Sequence, residues 1–165
     1  LEGIVRLALL ILYVWAIGFM PEIRRVFGYH GAEHKTINAF EANAELKPEI
    51  VDRYTTVHPR CGTAFLLTLV LLSIIVFALL GPMPLIWRFA SRILLLPVLA
   101  GLAYEFLRFS SDNIQSPIMR ILIKPSLWLQ KLTTREPGLD MLEVAIQAFK
   151  RMKLEEDRLA GTTPQ

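Results

Sequence analysis

The chain has 165 residues, 53% of them hydrophobic, and a formal charge of +3; its mean hydropathy is +0.43. That length suits one compact domain, and long apolar runs place the chain among integral membrane proteins. The mild basicity, with no basic patch interleaved with aromatics, gives no support for a nucleic-acid partner, and a single cysteine excludes an internal disulfide.

Residues 4–20 read as a first membrane span, nearly all apolar, with Arg6 able to snorkel. At about 1.5 Å per residue it reaches roughly 25 Å, short of a ~30 Å hydrocarbon core. The chain starts at Leu1, inside this run, and no cleavage signal follows. An absent upstream part is therefore expected. Pro21 closes the run.

Residues 21–62 form a polar insertion in which basic and acidic side chains nearly balance. Within it, 31–46 is read as a helix. Ile37, Phe40 and Ala44 make one face, while His30, His34, Asn38, Glu41 and Glu45 make another. Lys47-Pro48 ends this helix, and a shorter one is expected over 49–55.

Residues 63–80, without a charge, are the second span, with Thr63 as its cap. After the turn Gly81-Pro82-Met83-Pro84 the chain recrosses over 85–109, where Trp87, Arg88 and Arg92 suit an interface. Pro97 and Gly101 mark a kink or a close helix contact. Glu105, an ionisable group in an apolar run, is expected to pair with Arg108. A loop is expected at 110–113.

Residues 118–132 are apolar but carry Arg120, Lys124 and Lys131 and are broken by Pro125. They read as lying in the membrane interface. Residues 133–138 are read as the turn that starts the next helix; docking of Arg135 and Glu136 on the polar insertion is the alternative. Residues 139–158 make an amphipathic helix with Leu142, Ile146, Phe149 and Met152 as its stripe, and disorder is expected from Gly161 onward. The insertion and the C-terminal segment hold most of the Lys and Arg, and the 81–84 turn holds none. Both are placed on the cytoplasmic side.

All three histidines and the one cysteine lie between His30 and Cys61. His30-x-x-Glu33-His34 has the spacing of the inverted zinc-peptidase signature. Residues four apart on a helix share a face, so two imidazoles can reach one divalent ion, zinc being the first candidate. Glu33 is offset by about one residue, where a carboxylate can serve as general base. A third ligand is required, and His58, Cys61, Glu41 and Glu105 are the candidates. His58 is preferred over Cys61, which reads more simply as a buried thiol at a helix start. The competing reading makes the histidines helix caps or partners of carboxylates at the membrane surface.

Several blocks together carry a resemblance: Tyr29-His30-Gly31-Ala32-Glu33-His34-Lys35-Thr36, His58-Pro59-Arg60-Cys61-Gly62-Thr63, Leu95-Leu96-Pro97-Val98-Leu99-Ala100-Gly101, Trp128-Leu129-Gln130 and Leu132-Thr133-Thr134-Arg135-Glu136-Pro137. In this order they resemble the YqhQ-like bacterial membrane proteins of uncharacterised function, over about residues 28–149. The resemblance implies a bacterial cytoplasmic membrane location, additional N-terminal sequence, and the description of that family as predicted metal-dependent enzymes. It supplies no substrate.

The expectation is therefore an all-α, multi-pass membrane protein acting as a metal-dependent enzyme, a hydrolase at the cytoplasmic face. His30, His34 and His58, or Cys61, hold the ion, and Glu33 is the base. The alternative is a non-catalytic scaffold, assembly factor or homo-oligomeric channel, with Glu105, Ser73 and Thr68 as the polar residues of an interface or pore.

Overall fold

The computed structural model describes residues 2–161, and the regular structure in them is entirely helical. In chain order the helices are α1 (Glu2–Ile17), α2 (Pro21–Glu41), α3 (Pro48–Val51), α4 (Gly62–Leu80), α5 (Leu85–Asp112), α6 (Pro117–Thr133) and α7 (Leu139–Leu159). They divide into two compact units. The first comprises Leu1–Trp15 and Pro59–Gln130, the second Ala16–His58 and Lys131–Gln165. The expectation of disorder from Gly161 falls, beyond that residue, on 162–165, outside the described residues.

The first unit is built on the hairpin of α4 and α5, joined by the Gly81–Pro84 turn, where Gly81 adopts a φ of 70°. Both helices are long and apolar enough to cross a membrane. A third span exists only if α1 and α2, which meet at residues 18–20, count together as one broken span. The two arginines that the charge pattern placed near the turn are held there. Arg92 lies over the Phe77 ring at 5.8 Å, and Arg88 donates to the Met83 carbonyl.

Four expectations are corrected in this unit. Thr63 is not the cap of α4: Cys61 occupies that position, and its side chain accepts from the Thr63 N–H. The loop expected at 110–113 is helical as far as Asp112, where the Ser110 hydroxyl returns to the Leu107 carbonyl and compensates locally for its polarity. Pro125 does not break α6, which runs through it from Pro117 to Thr133; one missing N–H removes one rung of the ladder and leaves the rest. Glu105 is exposed and makes no ion pair with Arg108 among the described residues.

The second unit is organised by α2. The sequence pattern placed a helix at 31–46; it starts ten residues earlier. Pro21 opens it, because the first turn needs no intrahelical N–H. It also ends sooner. Asn43 enters the left-handed region at φ 54°, and Asn43 and Ala44 donate to the carbonyls of Phe40 and Ala39, at 2.9 Å each. Those two bonds satisfy the last carbonyls and turn the chain away. The second helix of the insertion, expected over 49–55, is the short α3.

Helix α7 lies along α2 and α3. Ala32 and Ala39, seven residues apart on α2, present small side chains, so Leu142 and Ile146 of α7 pack close against them with Val51 of α3. Phe40 and Phe149 meet at the edge with ring centroids 4.8 Å apart. Met152, expected in the buried stripe, is half-exposed because the contact ends at Phe149. The insertion and the C-terminal helix, expected on one side of a membrane, thus form a single unit.

Candidate metal centre

The centre lies on the face of α2 that carries His30, His34 and Asn38. Two further segments of the chain are clamped against it. The first is residues 52–58. His34 Nδ1 donates to the Thr56 carbonyl at 2.7 Å. One turn on, the Asn38 amide donates to the carbonyls of Thr55 and Val57 at 2.9 and 3.1 Å. The second segment is residues 133–136. His30 Nδ1 donates to the Thr133 carbonyl at 2.9 Å, and the Arg135 N–H donates to the Phe27 carbonyl at 2.9 Å.

A carbonyl oxygen can only accept, so each of these Nδ1 atoms carries the proton. In a neutral ring, Nε2 then holds the lone pair. This is the arrangement by which outer groups orient metal-ligating histidines and raise their basicity. The two rings stand edge to face with centroids 4.4 Å apart, and they offer ring nitrogens within 4.8 Å of each other. His34 is buried and His30 partly so.

His58 is buried further along the same cluster. Its ring centroid is 6.1 Å from that of His34, and its Nε2 is 3.4 Å from Glu41 Oε2. Glu41, one of the proposed ligands, is therefore the carboxylate beside His58. Glu33 is exposed on α2, about 60° around the helix from His30 and about 100° from His34. Cys61, the N-cap of α4, and Glu105 belong to the first unit; the Cys61 sulfur lies 3.1 Å from Thr63 Oγ1.

Gly31, between the two histidines, explains how the second segment reaches this face. A Cβ there would overlap the Arg135 carbonyl oxygen, so only glycine lets that backbone lie on the helix. The residues 133–137 are therefore not merely a turn: they dock on α2, the alternative raised from the sequence.

Lys35 fastens both segments and was not recognised from the sequence. It is buried, and its ammonium donates to Glu136 at 2.7 Å, to Asp52 Oδ1 at 3.0 Å and to the Asp52 carbonyl at 2.6 Å. Burial pulls its pKa down, but the hydrogen bonds to Glu136 and Asp52 outweigh that and hold it above the ordinary lysine value. A signal was present: Lys35 lies four residues from both Gly31 and Ala39, on a face of small residues that marks close packing.

Comparison with known proteins places the chain. Residues 1–155 match the family described as "Protein of unknown function (DUF1385)". The uncharacterized protein YqhQ of Bacillus subtilis (strain 168) is 38% identical over 152 residues, which cover 92% of this chain and 48% of that protein. The chain thus spans about half the length of the curated relative it matches. No solved structure matches it. On the extent of both matches, the chain belongs to the DUF1385 family, alongside YqhQ.

Proposed function

We propose that the second unit holds a divalent metal ion, with zinc as the first candidate, and that the protein is a membrane-embedded hydrolase working at the cytoplasmic face of a bacterial inner membrane. One observation carries this reading: His30 and His34 each spend Nδ1 on a backbone carbonyl while ring nitrogens of the two stand within 4.8 Å. Histidines serving only as caps would not need two separate segments folded back to fix their tautomers. The third ligand within this unit is His58, buried beside His34 with ring centroids 6.1 Å apart. Imidazole suits zinc.

The ion would supply Lewis acidity. Glu33, on the exposed side of α2, has open access to water and can take its proton. Substrate reaches such a base from solvent, which fits a site outside the bilayer core. Elemental analysis of the purified protein tests the reading. About one equivalent of metal is expected, lost in His30→Ala and His34→Ala, and metal-free protein that keeps its fold and its cellular role would overturn it.

A scaffold or homo-oligomeric channel is the second reading. Its support is Glu105, exposed on α5 with no ion pair among the described residues, since a carboxylate in a span is costly without a partner. A symmetric oligomer burying Glu105 would favour it.

A further inference from the structure

The first unit holds a partly open cavity of about 290 Å³ between α4, α5 and α6. Its volume is that of several methylene groups, far more than the gaps left between packed side chains. Its α4 wall extends from Leu67 to Ile75, eight residues and hence about 12 Å of helix. Phe106, Leu122 and Ile123 line the other walls.

Three hydroxyls interrupt the apolar lining. Thr68 and Ser110 are committed to carbonyls of their own helices, those of Ala64 and Leu107, both at 2.9 Å. The Ser126 oxygen is buried and has no hydrogen-bond partner. One unsatisfied hydroxyl cannot hold a column of water, which needs two to four polar contacts per molecule. A mostly apolar occupant with a single oxygen acceptor fits the lining.

A cation stands beside one end of the cavity without lining it. Pro59 and Ser110 line that end, and next to both stands Arg60, whose Nε donates to Ser111 Oγ at 2.8 Å. That bond anchors a guanidinium where α4 begins, at the polar edge of the span.

We propose that this cavity binds one acyl chain of an anionic membrane phospholipid, with its ester oxygen on Ser126 and its headgroup facing Arg60. The apolar lining selects the chain, the lone hydroxyl selects the ester, and the guanidinium selects the negative head. Lipid is the occupant at hand, because α4 and α5 leave most of their apolar surface outward. The inference rests on the membrane reading of these two helices and is independent of the metal.

The test uses the full chain in nanodiscs doped with phosphatidylglycerol or phosphatidylcholine probes carrying a diazirine on one acyl chain. Crosslinked residues are then mapped by mass spectrometry. Labelling should concentrate on Leu71 and Ile123, at least fivefold over the outward-facing Leu94, and should favour phosphatidylglycerol at least threefold. Leu71→Trp, which fills the cavity, should remove that excess while leaving Leu94 labelled. Ser126→Ala, a milder change, should lower it without affecting folding. Arg60→Gln should abolish the headgroup preference. Uniform labelling of Leu71 and Leu94, or displacement by a free fatty acid but not by phospholipid, would overturn the proposal. Alkaline carbonate extraction of cell membranes separates the two layers of the argument: protein released by the wash overturns the membrane reading itself, whereas retained protein with uniform labelling overturns only the pocket.

Discussion

His30 donates through Nδ1 to the carbonyl of Thr133, 103 residues further along the chain, at 2.9 Å. That single bond ties the insertion to the start of the C-terminal segment and fixes the tautomer of a candidate ligand in the same stroke. His34 does likewise with Thr56, 22 residues away. The centre is thus assembled by backbone carbonyls brought to α2 from two directions.

Asparagine separates the two roles of these histidines. Its amide reproduces the Nδ1–H donor but offers no nitrogen lone pair to a metal. His34→Asn should retain the fold, read as a thermal midpoint within a few degrees of the parent's metal-free form, and lose at least tenfold of the bound metal. His34→Ala should lose both. Inductively coupled plasma mass spectrometry and thermal melts of the same preparations check this.

The third ligand is identified by cobalt substitution. A Cys61 thiolate on Co²⁺ gives an intense near-ultraviolet charge-transfer band that imidazole does not. If Cys61 ligates, Cys61→Ala removes the band and weakens binding at least tenfold, while His58→Ala leaves the band. If His58 ligates, the band is absent throughout and His58→Ala is the damaging change.

Gly31→Ala should destabilise the second unit by about 1–3 kcal/mol, the usual cost of forced overpacking, because the new methyl meets the Arg135 carbonyl oxygen. At about 2–4 °C per kcal/mol for a chain of this size, the shift is measurable in a thermal melt. Residues 133–136 should also lose hydrogen-exchange protection first. Gly28→Ala should be milder, since the nearest atom is the flexible Met141 sulfur.

Lys35 gives a pH dependence with a definite sign. Its folded pKa is raised, so its contribution is complete below the unfolded value of about 10.4 and declines as pH rises through the folded value above it. Melts of the parent against Lys35→Met should differ by about 1.5–3 kcal/mol through neutral pH, the scale of hydrogen bonds to charged groups. The two curves should converge only above about pH 10.5. A difference that already closes by pH 9 would contradict the hydrogen bonds to Glu136 and Asp52.

Glu33→Gln should leave metal content unchanged and reduce hydrolysis at least a hundredfold, the lower end for loss of a general base. A panel of ester, phosphoester and peptide probes, compared with the metal-depleted parent as the zero, is the measurement. Equal loss of metal in Glu33→Gln would instead make this carboxylate a structural partner.

Uninterrupted apolar runs made the helical class and the apolar hairpin 62–112 legible from the amino acids alone. The histidine pair was legible too, because four-residue spacing on a helix is local geometry. Local signals failed where a bond came from far along the chain. Nothing near Thr133 announced that its carbonyl would accept from an imidazole. The Arg135 carbonyl that crosses Gly31 and the Asp52 and Glu136 carboxylates that close over Lys35 are likewise distant in the chain. Composition determined which segments are apolar, since transfer from water is a property of each side chain. Tertiary structure alone decided which carbonyls and carboxylates face the histidine helix, since those partners are separated by up to a hundred residues and meet only when the chain folds.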